Sequence, residues 1–170
     1  VTIGANGAII DTAGFNIGIA ATLGGAGSLH KTGAGTLTLT GGNSYSGHTF
    51  VEEGVLVGNV GSIRGDIANA GIVELKQETD ASFGGAISGM SGVDGRMVKS
   101  GAGTLTLTGP SSLDWTVTQG NLVAAVDRFG GNARIEGTSA VFTFREAGSA
   151  NYGGTISGDG AVVIDGPGTL

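Results

Sequence analysis

Three adjacent residues in the stretch GSIRGDIANAG could take part in recognition. Arg64, Gly65 and Asp66 place a cation and a carboxylate on either side of a glycine, and integrin receptors of host cells read such a triplet through its opposite charges. Because side chains alternate between the two faces of a strand, Arg64 and Asp66 point outward together if Ile63 and Ile67 point inward. The sequence therefore predicts a receptor contact at Arg64, Gly65 and Asp66.

A turn is the alternative interpretation of the same triplet. The corresponding stretch of a second repeat unit, RFGGNARIEG, has Gly131 and Asn132 in place of Gly65 and Asp66. Glycine followed by Asp or Asn is typical of turns, because glycine tolerates positive φ and the short polar side chain hydrogen-bonds nearby backbone. The sequence leaves both interpretations open.

Paired carboxylates would indicate hydrolysis or elimination on a polysaccharide. Glycoside cleavage needs two of them at about 5 to 9.5 Å, but the acidic residues considered for this role are dispersed along the chain: Asp11, Glu52, Glu53, Asp66, Asp94, Asp127, Asp159 and Asp165. Glu52 and Glu53 are adjacent and are expected to face opposite ways in a strand. We therefore predict no catalytic residue in this segment, and polysaccharide cleavage is the least favoured function.

Metal and phosphate sites are also disfavoured. The spacing of His30 and His48 could stack them on adjacent coils, but a third ligand has no obvious source. The stretch GGAGSLHKT has Leu29 where a calcium-binding nonapeptide needs Asp. The glycines after Lys31 and Lys99 lack the G-K-[ST] of a phosphate loop. The sequence predicts no metal and no cofactor.

Composition excludes several classes of protein. Among 170 residues there are 36 glycines, no cysteine and only 13% charged residues, with a net charge of −6. Low charge argues against disorder, and the acidic balance argues against a nucleic-acid partner. No apolar run approaches the roughly 18 to 20 residues of a membrane span, so we expect no membrane insertion by this segment.

A repeat organises the chain. The word KTGAGTLTLTG at Lys31 returns as KSGAGTLTLTG at Lys99, and a third copy begins at Gly166. This spacing defines units of about 24–91 and 92–158, followed by a truncated third within one domain, 1–170. Repetition at a fixed period is typical of solenoids, in which identical residues stack on themselves, and we expect a fragment of a longer rod.

Short words of alternating apolar and polar residues, each after a glycine, predict strands separated by turns. The sequence therefore predicts an all-β parallel helix of about seven to nine coils, spaced about 4.8 Å apart. Lys31 and Lys99 would then lie three or four coils and roughly 14 to 19 Å apart. The residues expected to point inward are Leu37, Leu39, Val55, Val73 and Leu75, with Thr36, Thr38 and Thr40 outward. Trp115, Tyr45, Phe50 and Tyr152 are expected to fill the interior or cover corners.

The run KTGAGTLTLTGGNSYSGHTFVEEGVL, residues 31–56, resembles the passenger-associated repeat of Gram-negative autotransporters. The second copy departs from it, since GPSSLDWTVTQGNL lacks the SYSG element. The resemblance implies a right-handed parallel β-helix that is exported through an outer-membrane barrel. Such passengers include adhesins, proteases, esterases and toxins, so the resemblance does not fix the activity.

The expected function is a stalk or interaction segment of a secreted, surface-displayed adhesin, whose partners are host cells or neighbouring cells. The alternative is the stalk of an enzyme passenger, a protease or esterase, with its catalytic domain outside these residues. In either case the segment itself is expected not to be an enzyme. Unpaired terminal coils also predict end-to-end self-association.

Overall fold

The structure, a computed structural model, describes residues 1–168 as a parallel β-helix of about eight coils. All pairs between its named strands are parallel, and the one helical element in this range is a 3-10 turn, Val126–Arg128. No helix in this range is long and apolar enough to cross a bilayer. The expected all-β solenoid is confirmed, while Thr169 and Leu170 of the third repeat copy lie outside the described residues.

The strands form four sheets. Sheet I contains β1 (Thr2–Ile3), β4 (Gly24–Gly25) and β7 (Ser44–Tyr45). Sheet II contains β2 (Ala8–Asp11), β5 (Leu29–Thr32), β8 (Thr49–Val51), β10 (Ile67–Asn69) and β13 (Ile87–Ser88). Sheet III contains β3 (Ile17–Ile19), β6 (Thr36–Leu39), β9 (Val55–Gly58), β11 (Ile72–Lys76), β14 (Arg96–Ser100), β16 (Asp114–Val117), β18 (Ala133–Ile135) and β20 (Ile156–Gly158). Sheet IV contains β12 (Ala81–Phe83), β15 (Thr104–Leu107), β17 (Gly120–Ala124), β19 (Ala140–Arg145) and β21 (Ala161–Asp165).

The chain visits the sides of the solenoid in a fixed order. Early coils pass through sheets I, II and III, and later coils use sheet IV in the position of sheet I. Sheet III is the continuous side, because its eight strands follow one another from β3 to β20. Hydrogen bonds between successive coils therefore connect the whole described length, as expected for a solenoid.

The core is a stack of inward side chains in register. One column along sheet III consists of Ile17, Leu37, Leu56, Val73, Met97, Trp115, Ala133 and Ile156. Its members from Leu37 to Ala133 are at most 1% exposed. Burial of this column supplies the hydrophobic stabilisation that compensates for a glycine-rich chain.

The register corrects one inward prediction. Leu37, Leu39, Val73 and Leu75 are buried as expected, but Val55 is only half-buried. Val55 pairs with Thr36 and Ile72 on the outer side, and the next residue, Leu56, takes the inward position. The word GVLVGN contains three successive apolar residues, so alternation alone does not fix its phase.

The coils differ in length. Leu56, Val73 and Met97 are successive partners in the sheet III column, yet the chain between Val73 and Met97 is clearly longer than the chain between Leu56 and Val73. The longer coil accommodates a turn closed by backbone hydrogen bonds of 2.9 Å between Met90 and Val93. A constant sequence period therefore does not correspond to a constant number of coils.

Because the coils differ in length, the two copies of the repeat word lie on different sides of the solenoid. Lys31 lies in β5 of sheet II, and its word crosses to sheet III, whereas Lys99 lies in β14 of sheet III and its word crosses to sheet IV. The expected stacking of identical residues is therefore wrong for these two copies. The word specifies a corner between two strands, and more than one corner of the coil can use it.

Glycine is required where coils approach each other. Gly33 has φ +75°, and a Cβ on Gly35 would overlap the carbonyl oxygen of Phe15 in the preceding coil. A side chain cannot be accommodated at that separation. The G-A-G of the repeat word thus combines a left-handed residue with a close contact between backbones.

Candidate functional site at the coil corners

The predicted receptor triplet lies at an exposed corner that leads into β10. Arg64, Gly65 and Asp66 are all exposed, and Ile63 and Ile67 on either side are at most 1% exposed. The outward orientation of the two charged residues is as expected. Gly65 has φ +68°, so the corner depends on its left-handed conformation.

The carboxylate of Asp66 is already engaged. Its Oδ1 accepts a hydrogen bond from the backbone N–H of Ala86 in the next coil at 2.8 Å. Its Oδ2 is 3.4 Å from Nδ1 of His48. Arg64 is held by its backbone, which donates to the Tyr45 hydroxyl at 3.0 Å, and its side chain lines a cavity of about 230 Å³.

Asn132 performs the same structural task at another corner. Its Oδ1 accepts from the backbone N–H of Thr155 at 2.8 Å, and its own N–H donates to Oδ1 of Asp114 at 2.7 Å. These side chains satisfy backbone donors that the strand ladders leave unpaired at the corners. The Gly-[Asp/Asn] pattern is therefore a device that joins coils, and the receptor contact stays a prediction.

The histidines do not stack on each other. The backbone N–H of His48 donates to Oγ of Ser28 at 3.0 Å, which places His48 over Ser28 rather than over His30. The His30 ring stacks on Phe50 with centroids 4.5 Å apart, and its Nδ1 is 3.3 Å from Oε1 of Glu52. Phe50 is thus on the outer side, not in the interior or at a corner, because β8 directs Thr49 and Val51 inward.

The other expected interior aromatics are covered: Trp115 and Tyr45 are at most 2% exposed, and Tyr152 packs against the core. No group of three or more His, Cys, Asp or Glu side chains within residues 1–168 has a metal-binding arrangement.

Several of the carboxylates considered for catalysis have structural partners. Oδ1 of Asp11 accepts from the backbone N–H of Ala13 at 2.8 Å, and Oδ1 of Asp159 accepts from that of Gly137 at 2.7 Å. Glu52 and Glu53 are both exposed, and the strand alternation from which their opposite orientation was expected does not reach them. The strand β8 ends at Val51, before either of them.

Lys31 is fully buried and forms the centre of a corner. Its Nζ donates to the carbonyl oxygens of Thr32 at 2.9 Å and of Gly33 in its own turn. Nζ is also 3.1 Å from Thr12 Oγ1 in the preceding coil and 2.9 Å from the carbonyl oxygen of Glu53 in the next coil, so its three N–H groups are shared among four oxygens. One ammonium group thus connects three successive coils.

Lys99 repeats the arrangement on the other side of the solenoid. It is also fully buried, and its Nζ donates to the carbonyls of Ser100 at 3.0 Å, Gly101 at 2.6 Å and Gln119 at 3.0 Å. Gln119 belongs to the next coil. The structural element shared by the two copies of the word is therefore a lysine together with the carbonyl groups of the turn that it holds.

Burial changes the acidity of both lysines. Desolvation lowers the pKa of Lys99 to about 8, and the carboxylates of Glu78 and Asp80 oppose part of this change. The pKa of Lys31 is lowered for the same reason, against the effect of Glu53 and Asp11. A buried ammonium is tolerated where several oxygens replace its hydration.

The sequence contained a signal for these lysines that our prediction did not use. Leu29 and Lys31 share one phase of the alternation in β5, as do Met97 and Lys99 in β14. Each lysine therefore follows a core position on the inward side. A charged residue in the core phase indicates a buried, hydrogen-bonded role.

Comparison with known proteins agrees with this architecture. Residues 29–57 and 97–124 match the passenger-associated-transport-repeat family. Over 51 residues the chain is 53% identical to an extracellular serine protease of Serratia marcescens, a match that covers 29% of this chain and 5% of that protein. The chain thus spans a small part of that relative's length. No solved structure matches.

The fold and its lysine corners define a parallel β-solenoid built on passenger-associated transport repeats. Each matched segment begins at or near the strand that carries the buried lysine and continues for more than one coil, to β9 in the first segment and to β17 in the second. Two segments of the chain match the repeat, and together with the extracellular relative they support a passenger-domain segment of an autotransporter.

Proposed function

We propose that this segment is the stalk of a secreted adhesin on the surface of a Gram-negative cell and that it contributes contacts to host cells or neighbouring cells. The observation that carries the proposal is the uninterrupted eight-stranded sheet III. At about 4.8 Å per strand it gives a rod roughly 35 Å long. A rod of this kind holds exposed corner residues at fixed distances from the cell.

The proposed contact is the exposed corner of Arg64, Gly65 and Asp66. Arg64 forms no ion pair with any other residue that the structure describes, so its guanidinium is available to a partner. Asp66 is half-exposed despite its two contacts. A receptor that takes its carboxylate must compete with His48 and with the backbone of Ala86.

The test measures binding of host cells to beads coated with the 170-residue chain. Asp66→Asn removes the charge and keeps the backbone acceptor, as Asn132 demonstrates. Asp159→Asn is the matched control, because Asp159 caps Gly137 at a distant corner. We expect the first substitution to reduce cell binding several-fold and the second to leave it unchanged.

Equal binding by both variants would contradict the contact at Asp66. Absence of binding by the unsubstituted chain would contradict adhesion and leave only the stalk.

The second candidate is the stalk of an enzyme passenger. It is supported by the name of the matching relative, an extracellular serine protease. A fluorophosphonate probe that labels active serines should then label the full-length protein and not the 170-residue chain. An unlabelled full-length protein that hydrolyses no peptide or ester substrate would remove this candidate.

End-to-end association is a further part of the proposal. Val162 and Ile164 of β21 occupy the columns of the buried Phe142 and Phe144, yet they are 42% and 50% exposed. A second copy of the chain that stacks on this coil would cover them. Sedimentation velocity should show association that rises with concentration and is lost in Ile164→Lys, but not in Val93→Lys, a control with 52% exposure on a loop. A monomer at all concentrations would contradict it.

A further inference from the structure

A groove crosses the outer side of sheet III away from the Arg64 corner, and at Thr118 it adjoins the corner of Lys99. It has a volume of about 370 Å³ and is lined by Arg96, Val98, Thr116, Thr118, Arg134 and Glu136. A second hollow of about 330 Å³ shares three of these residues and extends the groove to Thr155 and Ser157. The groove therefore runs from β14 to β20, across four successive strands of sheet III.

Arg96 is the available charge in this groove. Six cationic side chains of the chain lie outside the buried Lys31 and Lys99, and four of them are paired with carboxylates: Lys76, Arg128, Arg134 and Arg145. Within residues 1–168, Arg64 and Arg96 have no such partner. On a chain with a net charge of −6, an exposed arginine without a carboxylate is an uncommon feature that a ligand could use.

The carboxylates beside Arg96 have hydrogen-bonding partners other than Arg96. Oδ1 of Asp114, the register partner of Arg96, accepts both the backbone N–H and the side-chain Nδ2 of Asn132, at 2.7 and 3.0 Å. Glu136 accepts from Nε of Arg134. The two arginines and two carboxylates of the groove, Arg96, Arg134, Asp114 and Glu136, have a net charge of zero. Recognition here therefore depends on the N–H donors of Arg96 and not on a positive electrostatic potential.

The groove is built for an extended ligand. Arg96 pairs with Asp114, while Thr116 pairs with Arg134, so the two arginines lie two strands and two residues apart. Strand spacing and rise place their Cα atoms about 12 Å apart. Thr116 lies between them on β16, in the outward phase but only 9% exposed. A ligand held at Arg96 therefore extends diagonally over the Thr116 hydroxyl before it reaches Arg134.

The lining indicates the chemistry of that ligand. Guanidinium binds a carboxylate through two parallel hydrogen bonds. The hydroxyl of Thr118 already donates to the carbonyl oxygen of Lys99 at 3.2 Å and can accept from a ligand, while those of Thr116 and Ser157 can both donate and accept. Such groups suit a molecule that carries many hydroxyls of its own. Three apolar residues line the groove, Val98, Trp115 and Ala133, and the last two are only 1% exposed, so they offer little surface to an aromatic or aliphatic peptide side chain.

We propose that this groove binds a carboxylated oligosaccharide, with Arg96 on the carboxylate and the threonine hydroxyls on the sugar ring. The proposal does not depend on adhesion, since the stalk of an enzyme passenger could hold an acidic polysaccharide in the same way. It requires binding only, with no bond broken.

The experiment titrates the 170-residue chain with trigalacturonate and with a neutral galactose trisaccharide, by calorimetry at fixed pH and salt. We expect the acidic trisaccharide to bind at least tenfold more tightly than the neutral one. Arg96→Gln should weaken trigalacturonate binding about tenfold or more. Arg128→Gln is the matched control, because it removes an exposed arginine outside the groove and the same net charge, and its affinity should be unchanged.

Thr116→Val provides a second variant that keeps all charges and should weaken binding severalfold. Urea unfolding of each variant checks that the fold is retained. Equal binding of the two trisaccharides, no binding of either, or full affinity in Arg96→Gln would overturn the proposal. Competition by inorganic sulfate as effective as that by trigalacturonate would reduce the groove to a simple anion site and would overturn it as well.

Discussion

The ammonium group of Lys31 donates to the carbonyl oxygen of Glu53, one coil further along, at 2.9 Å. The contact lies at a corner, where the strand ladders end and backbone groups need other partners. Because Lys99 reaches Gln119 in the same manner at 3.0 Å, each copy of the repeat supplies one such connection. The buried lysine is therefore part of the cohesion between coils.

Replacement of this lysine should weaken the fold. Lys31→Met keeps much of the apolar stem but leaves the carbonyl of Glu53 without the lysine donor, while that of Gly33 keeps only the Thr12 hydroxyl at 3.1 Å. Buried acceptors without partners cost about 1–3 kcal/mol, and urea unfolding should show a loss of that size. Lys76→Met is the control, because Lys76 is exposed and pairs with Glu78 across 3.8 Å. An equal effect of the two substitutions would contradict the role of Lys31.

The stability should also rise with pH between about 8 and 10. The pKa of Lys99 is lowered to about 8 in the folded chain, whereas an unfolded lysine titrates near about 10.4. In this window the unfolded chain binds more protons, so the free energy of unfolding increases with pH. Well below this window both states are protonated and the slope vanishes.

Tyrosines limit the upper end of this window. Burial raises the pKa of Tyr152 to about 12 and also raises that of Tyr45, so above about pH 10, where an unfolded tyrosine loses its proton, they oppose the lysine effect. Urea midpoints at pH 7.5 and 9.5 should therefore differ more in the unsubstituted chain than in Lys99→Met. An identical pH dependence in the two would show that Lys99 does not titrate as stated.

Two glycine substitutions should have opposite outcomes. In Gly35→Ala the new Cβ overlaps the Phe15 carbonyl oxygen, while in Gly42→Ala nothing lies within 4 Å. The first should destabilise by about 1–3 kcal/mol or more through forced backbone shifts, and the second should change stability by less than about 0.5 kcal/mol. Thermal melts of both variants check this, and a tolerated Gly35→Ala would refute the close contact between coils.

Two substitutions of Asp66 should distinguish its structural hydrogen bond from its charge. Asp66→Ala removes the acceptor of the Ala86 N–H and should cost about 1 kcal/mol, whereas Asp66→Asn should retain most of the stability because Asn132 caps Thr155 in the same geometry. Urea unfolding measures both. If the two variants lose equal stability, the charge rather than the hydrogen bond holds this corner.

Much of the architecture could be predicted because solenoids repeat their sequence as they repeat their backbone. The count of seven to nine coils and the burial of Leu37 and Leu75 followed from alternation and from the recurring word. The prediction that Val55 points inward was wrong, because three apolar residues in succession fit either phase of the alternation. The pairing of His30 with Phe50 and of His48 with Ser28 depended on an exact register, which the sequence spacing of the two histidines does not determine.

The sequence by itself determined the class of fold, since a glycine, a lysine and an alternating strand recur at positions that only a parallel solenoid uses repeatedly. Only the tertiary structure decided which side of the solenoid each copy occupies, and which residues meet on its surface. The physical reason is that successive coils differ in length while their strands stay in register, so the residues added in a turn change which side of the solenoid a given repeat word reaches. The positions of Lys31 in sheet II and of Lys99 in sheet III follow from these differences in length.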